Sequence, residues 1–124
     1  MGTRSTTTVI DEQGNELICM YRQFDGYLSG HGADLKAKFG DTPLVNGLND
    51  TTPVNAANGM GCFAAQLISA FKGTGHAGSF YIVPLGQREG WDYFLYPKDS
   101  RIYVRIANYE FEYDGPLSDL PTQD

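Results

Sequence analysis

Cysteine is scarce in this chain, and Cys19 and Cys62 are the only two in 124 residues. Both fall inside apolar periodic segments rather than in loops, so no disulfide framework is indicated and a reducing compartment fits. Each is expected to pack as a small apolar side chain. Histidine is equally sparse, with only His31 and His76, and no Cys-x-x-Cys, His-x-x-x-His or HExxH spacing supports a metal. No metal and no cofactor are therefore expected. No apolar run approaches the roughly 18 residues that span a bilayer, and the N-terminus lacks the charged-then-apolar order of a secretion signal. A soluble, cytoplasmic protein without a membrane partner is the expectation. Basic residues are outnumbered, 9 Lys and Arg against 15 Asp and Glu, for a formal charge of −6. Nucleic-acid affinity rests on cations neutralising the phosphate backbone, so that partner is not expected. An acidic surface offered to a basic partner is compatible with the balance, as is simple solubility.

What remains is a globular composition, 41% hydrophobic and 19% charged, of a size for one domain over residues 1–124. No internal repeat or linker interrupts it. Thr6 to Ile10 is β-branched and predicts a strand, residues 11–16 with Gly14-Asn15 a turn, and Leu17 to Phe24 the returning strand of a hairpin. The period of two places Leu17, Cys19 and Tyr21 on one face of that strand and Ile18, Met20, Arg22 and Phe24 on the other. Ser29 suits the cap of a short helix carrying Leu35 and Phe39, with Gly40 left-handed past its end. Residues 41–59 turn to Asn, Thr, Pro, Gly and Asp, a long polar loop that acts as a lid or binding loop, or is stapled down by Leu44, Val45 and Leu48. Met60, Phe63, Ala64, Leu67, Ile68 and Phe71 recur at helical spacing and Gly73 follows, predicting a core helix over 60–72 with Cys62 beside its apolar stripe.

The last third predicts a meander with strands over 79–85, 91–96, 101–106 and 109–113. A turn at Ala107-Asn108 would set Val104 opposite Phe111 and Ile102 opposite Tyr113, with Arg105 meeting Glu110 and Arg101 meeting Asp114 on the other face. The fold class is therefore α+β: an N-terminal β-hairpin, then one short and one longer helix packed on a mostly antiparallel sheet that ends in a β-meander.

Chemistry-bearing residues concentrate where the second strand ends. In Met20-Tyr21-Arg22-Gln23-Phe24-Asp25-Gly26-Tyr27-Leu28-Ser29-Gly30-His31-Gly32, aromatics, an arginine, a carboxylate and an imidazole alternate with glycines. Arginine with tyrosine suits planar or phosphorylated ligands, through forked hydrogen bonds and stacking. Tyr21, Arg22, Asp25, Tyr27 and His31 are accordingly the candidate ligand-binding residues, against an alternative in which Arg22 and Asp25 pair internally to fix the turn. No catalytic residue is assigned. Gly73-Thr74-Gly75-His76-Ala77-Gly78 matches GxGxxG in letters, but its helix precedes and its strand follows, the reverse of a dinucleotide-binding unit, so a helix end and turn is expected there. Cys62 with His76 and Cys19 with His31 are the Cys–His pairs that folding could bring together.

The opening Met1-Gly2-Thr3-Arg4-Ser5, the Tyr21-Arg22-x-x-Asp25-Gly26-Tyr27-x-x-Gly30-His31-Gly32 run and Asn58-Gly59-Met60-Gly61-Cys62 together resemble a group of small proteins found in phages and prophage-bearing bacteria. Many of that group have Pro where this chain has Leu28, which leaves the turn after Tyr27 less rigid here. The resemblance implies a cytoplasmic setting in a bacterial host and carries over no activity and no catalytic residues.

The expectation from these features is a non-catalytic binding protein, such as a phage accessory or anti-defence factor. It would capture a small phosphorylated, nucleotide-like ligand or a host protein at Arg22, Asp25, Tyr27 and His31. Two readings compete with it: a small hydrolase or transferase with His31 as base and Asp25 orienting it, and a structural or inhibitory protein with an acidic docking face. Open strand edges add a homodimer to the expectations.

Overall fold

In the computed structural model, which describes residues 2–73 and 77–122, the chain folds as the α+β arrangement its patterning predicts. The opening hairpin comprises β1 (Ser5–Ile10) and β2 (Glu16–Arg22), joined through a turn in which Asp11 Oδ1 accepts from the amides of Gln13 and Asn15. A π-helical turn over Leu28–Gly32 runs directly into α1 (Ala33–Phe39). Two short strands, β3 (Leu44–Val45) and β4 (Ala57–Asn58), precede the long helix α2 (Gly59–Lys72). β5 (Phe80–Val83), β6 (Asp92–Lys98), β7 (Arg101–Asn108) and β8 (Phe111–Pro116) follow, with a 3-10 turn at Leu117–Asp119.

Six strands form one sheet in the order β5-β2-β1-β6-β7-β8. Every neighbouring pair is antiparallel except the central one, in which β1 runs parallel to β6. The apolar stripe of α2 (Met60, Phe63, Ala64, Leu67, Phe71) lies against one face of the sheet. It is joined there by Leu35 and Phe39 of α1 and by Val9, Met20, Tyr93, Leu95, Val104 and Ile106 from the strands. Among the described residues the opposite face carries no helix, and it is crossed by the segment 84–91 as the chain passes from β5 to β6. There the Cys19 thiol faces the Gln87 carbonyl, and Phe94 lies under the guanidinium groups of Arg88 and Arg105.

The central strand is unusually polar for its place. Ser5, Thr6, Thr7 and Thr8 are all buried, and two of their hydroxyls reach distant partners. Thr6 donates to Asp92 at 2.5 Å, and Thr7 meets the imidazole of His31. Buried hydroxyls stay inexpensive only when bonded, so β1 links the sheet centre to the turn that follows β2.

Several expectations are corrected. Ser29 caps no helix: it lies within the π-helical turn, and Tyr27 and Gly32 flank the two helical segments without a side-chain cap. Gly40 is right-handed, at φ −57°, because α1 closes with an ordinary amide bond back to Lys36 rather than reversing. The loop over 41–59 is stapled rather than open. Leu44 packs on the core and Ala57 is buried through the parallel β3–β4 pairing, whereas Leu48 stands in solvent and staples nothing. Cys62 is exposed, since one helical step past Gly61 carries it off the buried stripe; Cys19 is buried as expected.

In the meander the two-residue turn is Tyr109-Glu110, so Ile106 lies opposite Tyr113 and Arg105 opposite Asp114. This register differs by four residues from the one expected around Ala107-Asn108. An even slip keeps every side chain on its anticipated face while changing its partner. Residues 74–76 of the glycine-rich segment, His76 among them, lie outside the described residues.

Candidate functional site

The end of β2 holds Arg22 on the helix-bearing face, and the next ten residues fold back to set His31 behind it. Asp25 makes this reversal by adopting a left-handed backbone at φ 60°, a conformation that costs an L residue less when it is Asp or Asn. Its carbonyl then accepts the His31 amide at 2.8 Å. A Cβ on Gly30 would stand 2.3 Å from that same carbonyl oxygen, so this close approach requires glycine. Gly26 packs equally tightly against Arg4 and Ser5, and its carbonyl accepts the Tyr93 hydroxyl at 2.8 Å. The glycine spacing in the sequence is thus the spacing of a tight turn pressed onto β1.

His31 is completely buried, with its ring 5.1 Å from that of Phe71 and 4.9 Å from that of Tyr93. Arg22 Nη1 donates to Nδ1 at 3.0 Å. Guanidinium can only donate, so Nδ1 is the unprotonated nitrogen, and Nε2–H donates to the Thr7 hydroxyl at 2.6 Å. The tautomer follows from the partners. Burial, reinforced by the Arg22 charge, holds the imidazole pKa well below its ordinary value of 6.5, so the ring is neutral near pH 7.

Arg22 is fixed on every side but one. Nη1 also donates to Asp34 Oδ2 at 2.8 Å, and Nε donates to the Phe24 carbonyl at 2.6 Å. Its guanidinium carbon lies 5.4 Å from the Phe80 ring centre and 6.0 Å from that of Phe71. Nη2 makes no hydrogen bond among the described residues. A cleft of about 540 Å³ opens at this point, lined by Arg22, Phe24, Asp25, Asp34, Lys38, Phe71, Ser79 and Phe80, a size that accepts a small organic ligand. Lys38 places its ammonium 5.5 Å from the Phe71 ring centre on the same wall. Two cations, two carboxylates and three phenyl rings therefore share one concave surface.

Of the five candidate residues, Arg22 and Asp25 line this cleft, and His31 supports it from inside the core. Tyr27 stands beside it, donating its hydroxyl to Asp25 Oδ1 at 3.1 Å. Tyr21 belongs elsewhere. The alternation of β2 turns it to the opposite face, where it donates to Gln23 Oε1 and packs on Tyr81 with ring centres 5.9 Å apart. Arg22 and Asp25 form no side-chain pair; the partner of Arg22 is Asp34. The imidazole is likewise not oriented by the Asp25 carboxylate, because its nitrogens go to Thr7 and Arg22. Cys19 lies across the sheet from His31, and Cys62 with His76 falls outside the described residues.

Asp34, Lys38, Phe71, Ser79 and Phe80 are not among the expected site residues, Phe71 being expected only as part of the helical core stripe. The i, i+4 spacing of Asp34 and Lys38 on α1 is a usable signal for the first two. The others arrive by tertiary contact alone.

Among the described residues no group of three or more His, Cys, Asp or Glu side chains is placed to hold a metal ion, and no helix is long and apolar enough to cross a membrane. Comparison with known proteins gives no match to any family model, to any curated protein or to any solved structure.

Proposed function

We propose that this is a binding protein whose cleft at Arg22 captures a small phosphorylated ligand with a planar group, of the nucleotide class. The observation that supports this reading is the fixed guanidinium. His31, Asp34 and the Phe24 carbonyl hold Arg22 in one orientation, leaving Nη2 to serve an anion next to the Lys38 ammonium. A donor held rigid before binding loses little entropy on binding, and a guanidinium beside an ammonium suits phosphate oxygens. Phe24, Phe71 and Phe80 provide flat apolar surface for a base, while Asp25 and Asp34 offer acceptors to sugar hydroxyls or exocyclic amines.

Binding is favoured over turnover because the only imidazole among the described residues lies under the cleft floor, with both ring nitrogens engaged. In the phage and bacterial cytoplasm that the sequence resemblance implies, capture would withdraw such a molecule from host use.

The reading is tested by calorimetric titration of the protein with nucleoside mono-, di- and triphosphates. At least one is expected to bind with a dissociation constant below about 100 µM. Lys38→Ala, an exposed change that leaves the fold intact, is expected to weaken it about tenfold, or ~1.4 kcal/mol. No heat and no chemical-shift change with any of these ligands at millimolar concentration would overturn the proposal. Hydrolysed product appearing in the same mixtures would replace it with the hydrolase reading.

A further inference from the structure

The two edges of the sheet are built differently. β8 carries Glu112 and Asp114 and ends in Pro116, the devices that keep an edge from pairing. β5 is Phe-Tyr-Ile-Val and carries no charge at all. Its side chains Tyr81 and Ile82 are 49% and 57% exposed, and the neighbouring Leu17 and Leu85 are exposed as well. Uncharged apolar edges of this kind are partner surfaces or aggregation hazards.

The hydrogen-bond phase of β5 narrows the partner. Gln23 N–H donates to the Ser79 carbonyl, so residues 79, 81 and 83 direct their amides toward β2, and Phe80 and Ile82 direct theirs to the open side. The outward carbonyls on either side of Ile82 are already served, and the outward Phe80 amide lies two residues away. The Phe80 carbonyl accepts Lys72 Nζ at 3.1 Å, Pro84 has no N–H, and the Pro84 carbonyl accepts the Gln87 amide. Ile82 keeps both a donor and an acceptor facing outward with no partner among the described residues.

One residue offering one donor and one acceptor is self-complementary about a two-fold axis. We propose that β5 pairs antiparallel with β5 of a second copy, on a two-fold axis through Ile82, joining two six-stranded sheets into one of twelve strands. An axis through Tyr81 or Val83 would make its hydrogen bonds between Ile82 and Phe80 or Pro84 of the second copy, and neither answers Ile82 as well as Ile82 itself, because the Phe80 carbonyl already accepts Lys72 Nζ and Pro84 has no N–H. An axis between residues is excluded too, since it would pair side chains from opposite faces. With Ile82 opposite Ile82 of the second copy, Tyr81 falls opposite Val83 and Phe80 opposite Pro84. Every cross-strand pair is apolar, and no like charges meet despite the net charge of −6. The interface is isologous, as a closed dimer requires. This inference is independent of what the Arg22 cleft binds.

Sedimentation velocity and light scattering of the full chain from about 1 to about 200 µM test it. The expected mass at the upper end is twice the 13.6 kDa of one chain. Ile82→Lys, which sets two ammonium groups on the axis, is expected to raise the dimer dissociation constant at least 100-fold with an unchanged circular dichroism spectrum. Glu112→Lys on the guarded edge is expected to leave it unchanged. A wild-type monomer throughout that range, or a dimer indifferent to Ile82→Lys, would overturn the proposal. Should Ile82→Lys fail to fold, amide exchange of the wild type decides. Slowing of the Ile82 amide with rising protein concentration supports the pairing, and exchange independent of concentration refutes it.

Discussion

At the scale of single residues, the chemistry of His31 is altered by its surroundings. In an unfolded chain its imidazole titrates near 6.5, and in the native state burial and Arg22 hold it well below that. The sign of the linkage follows. As pH falls past about 6.5, the unfolded chain takes up a proton that the native protein refuses, so the contribution present above 6.5 is progressively lost in acid. The loss runs at up to ~1.4 kcal/mol per pH unit until the native pKa is reached. The melting temperature of the wild type should therefore fall between pH 7 and pH 5 more steeply than that of His31→Gln. That variant can still accept from Arg22 and donate to Thr7, but it carries no titrating group. Parallel melting curves for the two proteins would show that His31 stays neutral for no thermodynamic consequence, and that other groups govern acid sensitivity.

At the scale of elements, glycine plays opposite parts in the π-helical turn and in α2. Gly30 sits where a Cβ would meet the Asp25 carbonyl oxygen at 2.3 Å, backbone against backbone, with nothing flexible to yield. Gly61 occupies the first turn of α2 with no atom within 4 Å of its would-be Cβ. Gly30→Ala should cost at least ~2 kcal/mol in chemical denaturation, through strain at a site the structure over-determines. Gly61→Ala should instead stabilise by up to ~1 kcal/mol, because alanine loses less backbone entropy in a helix. Equal effects of the two changes would mean that the turn over 25–32 relaxes freely. The same contrast shows what sequence can reveal. α2 was legible because a 3.6-residue period needs only local information, and Arg22, Asp25 and His31 were legible because they crowd one short stretch. The π-helical turn has no period to betray it. Phe71, Ser79 and Phe80 reach the cleft from the end of α2 and the start of β5, whose placement no local pattern encodes, and Tyr21, which the period of two sets on the face opposite Arg22, was grouped with it only by adjacency in sequence.

At the scale of the whole molecule, the parallel pairing of β1 with β6 is the feature that no periodicity foretold, since it joins residues 86 apart along the chain through the Thr6–Asp92 hydrogen bond. It is also the seam between the two halves of the sheet, with the opening hairpin and β5 on one side and the meander on the other. Asp92 is buried there. Its carboxylate accepts from the Thr6 hydroxyl and from the amides of Glu89 and Gly90, closing the segment that crosses the uncovered face. Asp92→Ala would leave three donors without their acceptor, at a cost of about 2–4 kcal/mol. Trp91, the only tryptophan, lies at the same seam, with its carbonyl accepting the Thr6 amide at 3.0 Å, so its fluorescence reports on the junction. A core shared by α1, α2 and both halves of the sheet should unfold as one unit. In the wild type, thermal curves from Trp91 fluorescence and from far-ultraviolet circular dichroism are expected to superimpose, and Asp92→Ala should move both to lower temperature together. If fluorescence melted ahead of circular dichroism in either protein, the hairpin and meander halves would be separately stable bodies, and the polar strand β1 would be a docking contact between them rather than the centre of a single fold.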